Sequence, residues 1–308
     1  MELLHFLQAK LNWAQSRAIR SLLIVLSLSL LIAQATSQVS ALSSSVPTVS
    51  HVSYTPKLHP PVILSNGSVK NMANTSAGSG DCEYGSCYYW ATMADYGITA
   101  NGASDSITQA QPVVGLQDYH SLAELAVESA DGQQIVEIGW LVAPGINQDS
   151  LTHLFVYHWV NGGSTCYNGC GFVPTTTKYT AGGLVKINTV GTYSIKYNSS
   201  KWILSYDGTQ LGYFPESIWG GTFTKIGLVQ TFGEVASSSA TTPHTQMGNG
   251  VLGSKPKSAV ISNFNLIGTK NTRILDYSAE QAPSVYAIGN YKSACKLSCA
   301  MSFGGPGY

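Results

Sequence analysis

Between residues 120 and 267 the chain is a succession of short apolar segments cut by turn residues, and no stretch carries the period of a long amphipathic helix. "SLAELAVES" and "QQIVEIGWLV" flank Ala130-Asp131-Gly132; "LFVYHWV", "GTYSIKY", "WILSYDGTQLGYF", "IGLVQTFGEV" and "AVISNFNLIG" continue the series. Asn198-Ser199 and Asp207-Gly208 fall between alternating segments, where a tight turn joins antiparallel strands. The pattern predicts an all-β fold: an antiparallel β-sandwich of two packed sheets, jelly-roll-like, with residues 81–308 as one catalytic domain. A domain of about 225 residues buries a substantial core.

Several of these segments are apolar on both faces, "IVEIGWLV" most clearly. Such strands are central, covered on one side by the opposite sheet and on the other by a cleft or loops. Two glutamates sit inside segments of this kind, Glu137 in "IVEIGW" and Glu234 in "GLVQTFGEV". An ionised carboxylate buried without partners costs several kcal/mol, so it must be neutralised, paired or used. Two on one sandwich are raw material for acid–base catalysis if they face one cleft. The competing reading is structural, each carboxylate satisfied by a backbone N–H or a lysine.

Charged residues up to Arg20, an apolar run from Ser21 to Ile32 and Ala33-Gln34-Ala35 read as a secretory signal peptide over residues 1–35. The apolar run is short of the roughly 20 residues a spanning helix needs, so no stable membrane insertion is expected after its removal. Residues 36–80, rich in Ser, Thr, Pro, Val and Asn, read as a linker or short pro-segment. Removing Lys10, Arg17, Arg20 and Glu2 from the 16 basic and 16 acidic residues leaves 13 and 15, a net charge near −2. Arg273 is then the last arginine, so nucleic acid is not an expected partner. The six cysteines form local couples, Cys82 with Cys87, Cys166 with Cys170 and Cys295 with Cys299, spacings that suggest disulfides in an oxidising, extracellular compartment.

Other motifs carry little. "GNGVLG" matches a dinucleotide-binding pattern but runs into Ser254-Lys255-Pro256 where a helix would be required. No serine-nucleophile elbow or zinc-protease helix motif is present, and His153 and His158 differ by an odd number, so they point to opposite faces of one strand. Neither a metal nor a cofactor is expected.

"GASDSITQAQP", "VEIGWLVAP", "LFVYHWVNGGSTCYNGCGFV", "GYFPESIW", "VQTFGEV" and "HTQMGNG", in this order and with "FGGPG" near residue 305, resemble the neprosin family over roughly residues 102–260. The resemblance implies a secreted glutamic peptidase on an antiparallel β-sandwich, whose plant members cleave after proline. The family's two catalytic glutamates, one in the E-x-G-W strand and one in the G-E-V strand, fall on Glu137 and Glu234, the same two singled out by their apolar surroundings. Three departures lie near the expected cleft: "QTF" before Gly233-Glu234 where the family has Gln-Trp-Gly, His158 between Tyr157 and Trp159, and "ITQAQP" without a Trp before its Pro.

The expected function is therefore an exported, monomeric endopeptidase acting on peptide or protein substrates. Gln230 shares strand parity with Glu234 and is a candidate for holding the water or the oxyanion. Tyr157, Trp159, Trp140 and Tyr213 are candidates for lining a pocket for an apolar or proline ring. A β-sandwich glycosidase using two carboxylates, or a non-catalytic carbohydrate- or surface-binding module, are the alternatives.

Overall fold

The computed structural model describes residues 62–63, 69–70, 81–83, 86–238, 243–269, 277–280, 282–289 and 300–308. The signal-peptide segment, nearly all of residues 36–80 and the Cys295–Cys299 couple lie outside the described residues.

In chain order the strands are β1 (Val62–Ile63), β2 (Val69–Lys70), β3 (Asp81–Glu83), β4 (Ser86–Ala100), β5 (Gly102–Gln109), β6 (His120–Glu128), β7 (Ile135–Val142), β8 (His153–Val160) and β9 (Gly163–Ser164). They continue as β10 (Val173–Pro174), β11 (Thr189–Asn198), β12 (Lys201–Tyr206), β13 (Thr209–Pro215), β14 (Ile226–Ser237), β15 (Ala259–Ile267), β16 (Tyr277–Glu280), β17 (Ala287–Gly289) and β18 (Met301–Gly304). One sheet runs β10-β13-β12-β11-β5-β15-β18-β17. The other runs β16-β4-β14-β6-β7-β8-β9, with β3 paired to β4, and β1 pairs β2 separately. Both sheets are antiparallel, as the alternation predicts. Asp207 and Gly208 both take positive φ, 47° and 70°, which is the turn a two-residue hairpin between β12 and β13 requires.

The two sheets meet through one apolar cluster. Leu125, Val127, Val136, Ile138, Trp140 and Val156 come from the second sheet, and Ile107, Tyr193, Ile195, Trp202, Leu204 and Phe214 from the first. A second cluster, with Leu122, Ile135, Leu141, Tyr157, Trp159 and Phe232, covers the opposite face of the second sheet. All eight residues of β7 are accordingly buried, which is why "IVEIGWLV" is apolar throughout. The second sheet is thus a wall with two buried sides.

Two buried aspartates lie between the sheets, Asp95 on β4, paired with Val229, and Asp105 on β5. Asp105, fully buried on β5, is bonded through its Oδ2 to Thr231 Oγ1 at 2.6 Å, and the same hydroxyl lies 3.0 Å from the Glu124 carbonyl oxygen. Burial raises the Asp105 pKa to about 7, outweighing the hydrogen bond from Thr231. The Thr231 hydroxyl thus reaches oxygens on both neighbours and ties β5, β14 and β6 together. Between the ordinary carboxylate value and about 7 the folded chain holds a proton that the unfolded chain has released. Stability contributed by this group is therefore complete at acid pH and falls as pH rises through that window. Asp105→Asn is expected to leave the urea midpoint unchanged near pH 4 and to raise stability by roughly 2–4 kcal/mol near pH 7. Equal midpoint shifts at both pH values would show that Asp105 is not protonated in the fold.

Candidate active site

Registers across the second sheet place Glu137, Glu234, Gln230, Tyr157 and Trp159 on its outer face, away from the other sheet. Directly paired residues share a face, so the row Ala94–Gln230–Ala126–Glu137–Tyr157 crosses β4, β14, β6, β7 and β8 on one side. Four residues along β14, the row Trp90–Glu234–Leu122–Leu141–His153 crosses the same side. Between them runs Thr92–Phe232–Glu124–Gly139–Phe155, and beyond the first lies Tyr96–Leu228–Glu128–Ile135–Trp159. Glu137 and Glu234 thus face the same way and stand in different rows, with β6 between their strands.

Both carboxylates are fully buried and both receive an indole N–H. Trp159 Nε1 donates to Glu137 Oε1 at 2.8 Å, and Trp90 Nε1 donates to Glu234 Oε2 at 2.6 Å. Glu234 Oε1 lies 2.7 Å from His120 Nε2, so both of its oxygens are held. Contacts of this kind fix the orientation of each carboxyl group. Gln230 stands in Glu137's row with its whole side chain buried, and neither its amide nitrogen nor its amide oxygen has a hydrogen-bond partner among the described residues. Leaving such groups unsatisfied costs roughly 1–3 kcal/mol each.

Tyr157 and Trp159 lie on the same face as Glu137, with ring centroids 5.9 Å apart. The Cys166–Cys170 disulfide closes the loop carrying Tyr167, whose ring packs 4.8 Å from Tyr157. Asn168 Oδ1 accepts the Val156 N–H at 3.1 Å, fastening this loop to β8. Cys82 and Cys87 are also joined, bridging β3 and β4.

Two of the expected pocket residues lie elsewhere. Trp140 is three residues from Glu137, an odd step along a strand, so it turns into the inter-sheet core and donates its indole N–H to the Thr108 carbonyl at 2.9 Å. Tyr213 belongs to β13 in the other sheet, with the Lys201 ammonium 4.4 Å from its ring centre. The departure at His158 also misses the site. Its ring packs against Phe214 and Trp219 between the sheets, where burial lowers its pKa to about 4. Of the "QTF" departure, Thr231 faces the interior and Phe232 alone faces the site.

Four residues on this face escape sequence reasoning. Trp90 and His120 hold Glu234, and Glu124 and Glu128 are fully buried beside the glutamate pair. Among the described residues no group of three or more His, Cys, Asp or Glu side chains is placed to hold a metal, and no helix is long and apolar enough to cross a membrane.

The family model described as Neprosin matches residues 117–306, more than half of the 308 residues. The chain belongs to the neprosin family. The match begins just before β6 and ends just after β18, so it spans β6, β7 and β14, the strands of Glu124, Glu137 and Glu234. Among solved structures, the chain is similar to scytalido-glutamic peptidase with a peptide-based transition-state analogue, at 9% identity and a TM-score of 0.41, over 70% of this chain and 98% of that one. It is similar to SCP-B, described as a member of the Eqolisin family of peptidases in complex with the tripeptide Ala-Ile-His, at 9% identity and a TM-score of 0.38, over 70% and 98% of the two chains. A glycoside hydrolase family 16 endo-glucanase from Bacteroides ovatus gives 12% identity and a TM-score of 0.30, over 54% and 71%. No functional statement follows from likenesses at these scores.

Within the neprosin family chain, the E-x-G-W strand owes its glycine to the neighbouring strand. A Cβ on Gly139 would lie 2.1 Å from the Ala123 carbonyl oxygen and 2.8 Å from Glu124 Cβ, so β6 approaches β7 only because that side chain is missing. The glycine sits in the row between Glu137 and Glu234, opposite Glu124.

Proposed function

We propose that this chain is an exported glutamic-type endopeptidase that hydrolyses peptide bonds with Glu137 and Glu234. One glutamate, ionised, takes a proton from water as the water oxygen bonds to the scissile carbonyl carbon. The other, protonated, donates a hydrogen bond to the developing oxyanion and then a proton to the leaving amine as the C–N bond breaks. The observation that carries this reading is the unpartnered, buried amide of Gln230 in Glu137's row. Its N–H groups suit an oxyanion and its oxygen suits a water, which are the two species the reaction places beside a catalytic carboxylate.

Tyr157 and Trp159 supply an aromatic floor next to Glu137, and with Phe232 on the same face we read the preferred bond as the one after proline. The mature chain is read as a monomer that begins near Thr36, with residues 36–80 as a linker or short pro-segment. The test is incubation of the secreted protein, after its mass is measured, with a denatured protein at several pH values, followed by sequencing of the products. New termini following proline are the expected result. Broad cleavage after apolar residues would keep the chemistry and remove the proline pocket. Release of sugar from a polysaccharide with no peptide cleaved would replace the reading with a glycosidase.

A further inference from the structure

The register that separates the glutamate pair also shows what lies between them. Glu234 is on β14 in the row of Leu122, and Glu137 is on β7 in the row of Ala126. The strand between β14 and β7 is β6, and the row between those two rows contains Glu124. Glu124 therefore occupies the midpoint of the path from one glutamate to the other, one diagonal step from each. Diagonal neighbours on an antiparallel pair come within roughly 7–8 Å, close enough for long side chains to meet. The side chain is fully buried on the same face, and Gly139 directly opposite lets β6 approach β7 closely at this row. Its own backbone carbonyl is fixed from behind by Thr231.

We propose that Glu124 is a third working carboxyl of this site, a positioning residue that couples Glu137 and Glu234 and passes a proton between them. After one turnover the glutamate that took the water proton is protonated, and the one that gave a proton to the amine is ionised. Before the next turnover a proton must cross from the first to the second. Glu124 accepts it from one side and releases one to the other, so no proton is gained or lost. The kinetic consequence rests on the peptidase reading; the coupling of the three carboxyls does not. Among the described residues the other titratable groups on this face are Glu128 and His120 on β6, Tyr88 and Tyr96 on β4, and His153 and Tyr157 on β8, with Tyr167 packed over the last.

The experiment is a carboxyl-carbon NMR titration of the full chain carrying labelled glutamate, with signals assigned through Glu137→Gln and Glu234→Gln. In the unmodified chain the three groups are expected to titrate together in several steps. Glu124→Gln is expected to turn Glu137 and Glu234 into independent single transitions with midpoints displaced by at least about one pH unit, and Glu124→Asp to keep the coupling. Alongside, kcat for peptide cleavage is expected to fall at least about ten-fold in Glu124→Gln with KM nearly constant, and to recover partly in Glu124→Asp. Midpoints of Glu137 and Glu234 that stay in place in Glu124→Gln overturn the proposal, whatever the activity. Absence of cleavage by the unmodified chain overturns the peptidase reading and leaves the titration to decide this one. Should Glu124→Gln unfold, the Glu124 signal in the two assignment variants reads the same coupling from the other side, and a Glu124 midpoint that moves in neither overturns it.

Discussion

Glu137→Gln and Glu234→Gln are each expected to lower peptide cleavage by about 10²–10⁴-fold while leaving circular dichroism unchanged. The amide keeps the shape of the side chain, and its oxygen still accepts the indole N–H that Trp159 gives to residue 137 or Trp90 gives to residue 234. What it loses is the capacity to take a proton from water or to hold one for the amine. Removing both should cost about as much as removing either, because residues that act as a unit are not additive. Activity should show both a rising and a falling limb with pH, because one glutamate works ionised and the other protonated. Chelators and serine-directed reagents should have no effect. A folded single variant with near-complete activity across the acidic range would make the buried glutamates structural.

The faces of the strands were legible in the sequence and the registers between them were not. Period-two alternation identifies which residues of "IVEIGWLV" share a side, so the parity that sends Trp140 into the core was already present in the step from 137 to 140. Nothing local relates β14 to β6 and β7, more than 80 residues earlier, and only that pairing reveals that Gln230 shares a row with Glu137 while Glu234 stands four residues away. His120 pairs with Glu234 across 114 residues of chain for the same reason. Glu124 and Glu128 were hidden differently. In "SLAELAVES" they fall on the side of a strand that looks solvent-facing, because Glu at alternate positions is the ordinary mark of a wet face. Their burial is produced by neighbours on both sides, Phe232 and Leu228 on β14 and Gly139 and Ile135 on β7, which no single segment displays. Tyr213 belongs to the other sheet, and no local pattern in its segment tells one sheet from the other.

Trp140 separates stability from catalysis, and Trp140→Ala is expected to be the most destabilising single change among the residues discussed. The indole is fully buried between the sheets, packs in the main cluster and satisfies the Thr108 carbonyl on β5 of the opposite sheet. Truncation leaves a large cavity and removes the donor to a partly buried carbonyl, a combination that costs roughly 3–5 kcal/mol. For a domain of this size that lowers the melting temperature by on the order of 10 °C. Because the side chain is on the far side of β7 from Glu137, KM and kcat measured well below the new melting temperature should change little. Trp159→Phe should behave in the opposite way. It retains most of the ring and so most of the packing, but removes the donor to Glu137, leaving stability lowered by only about 1–2 kcal/mol and the pH profile of cleavage displaced. The two substitutions on one antiparallel pair, β7 and β8, therefore read its two faces separately. If Trp140→Ala altered specificity at unchanged stability, the strand would be turned the other way and the whole site face would have to be reassigned.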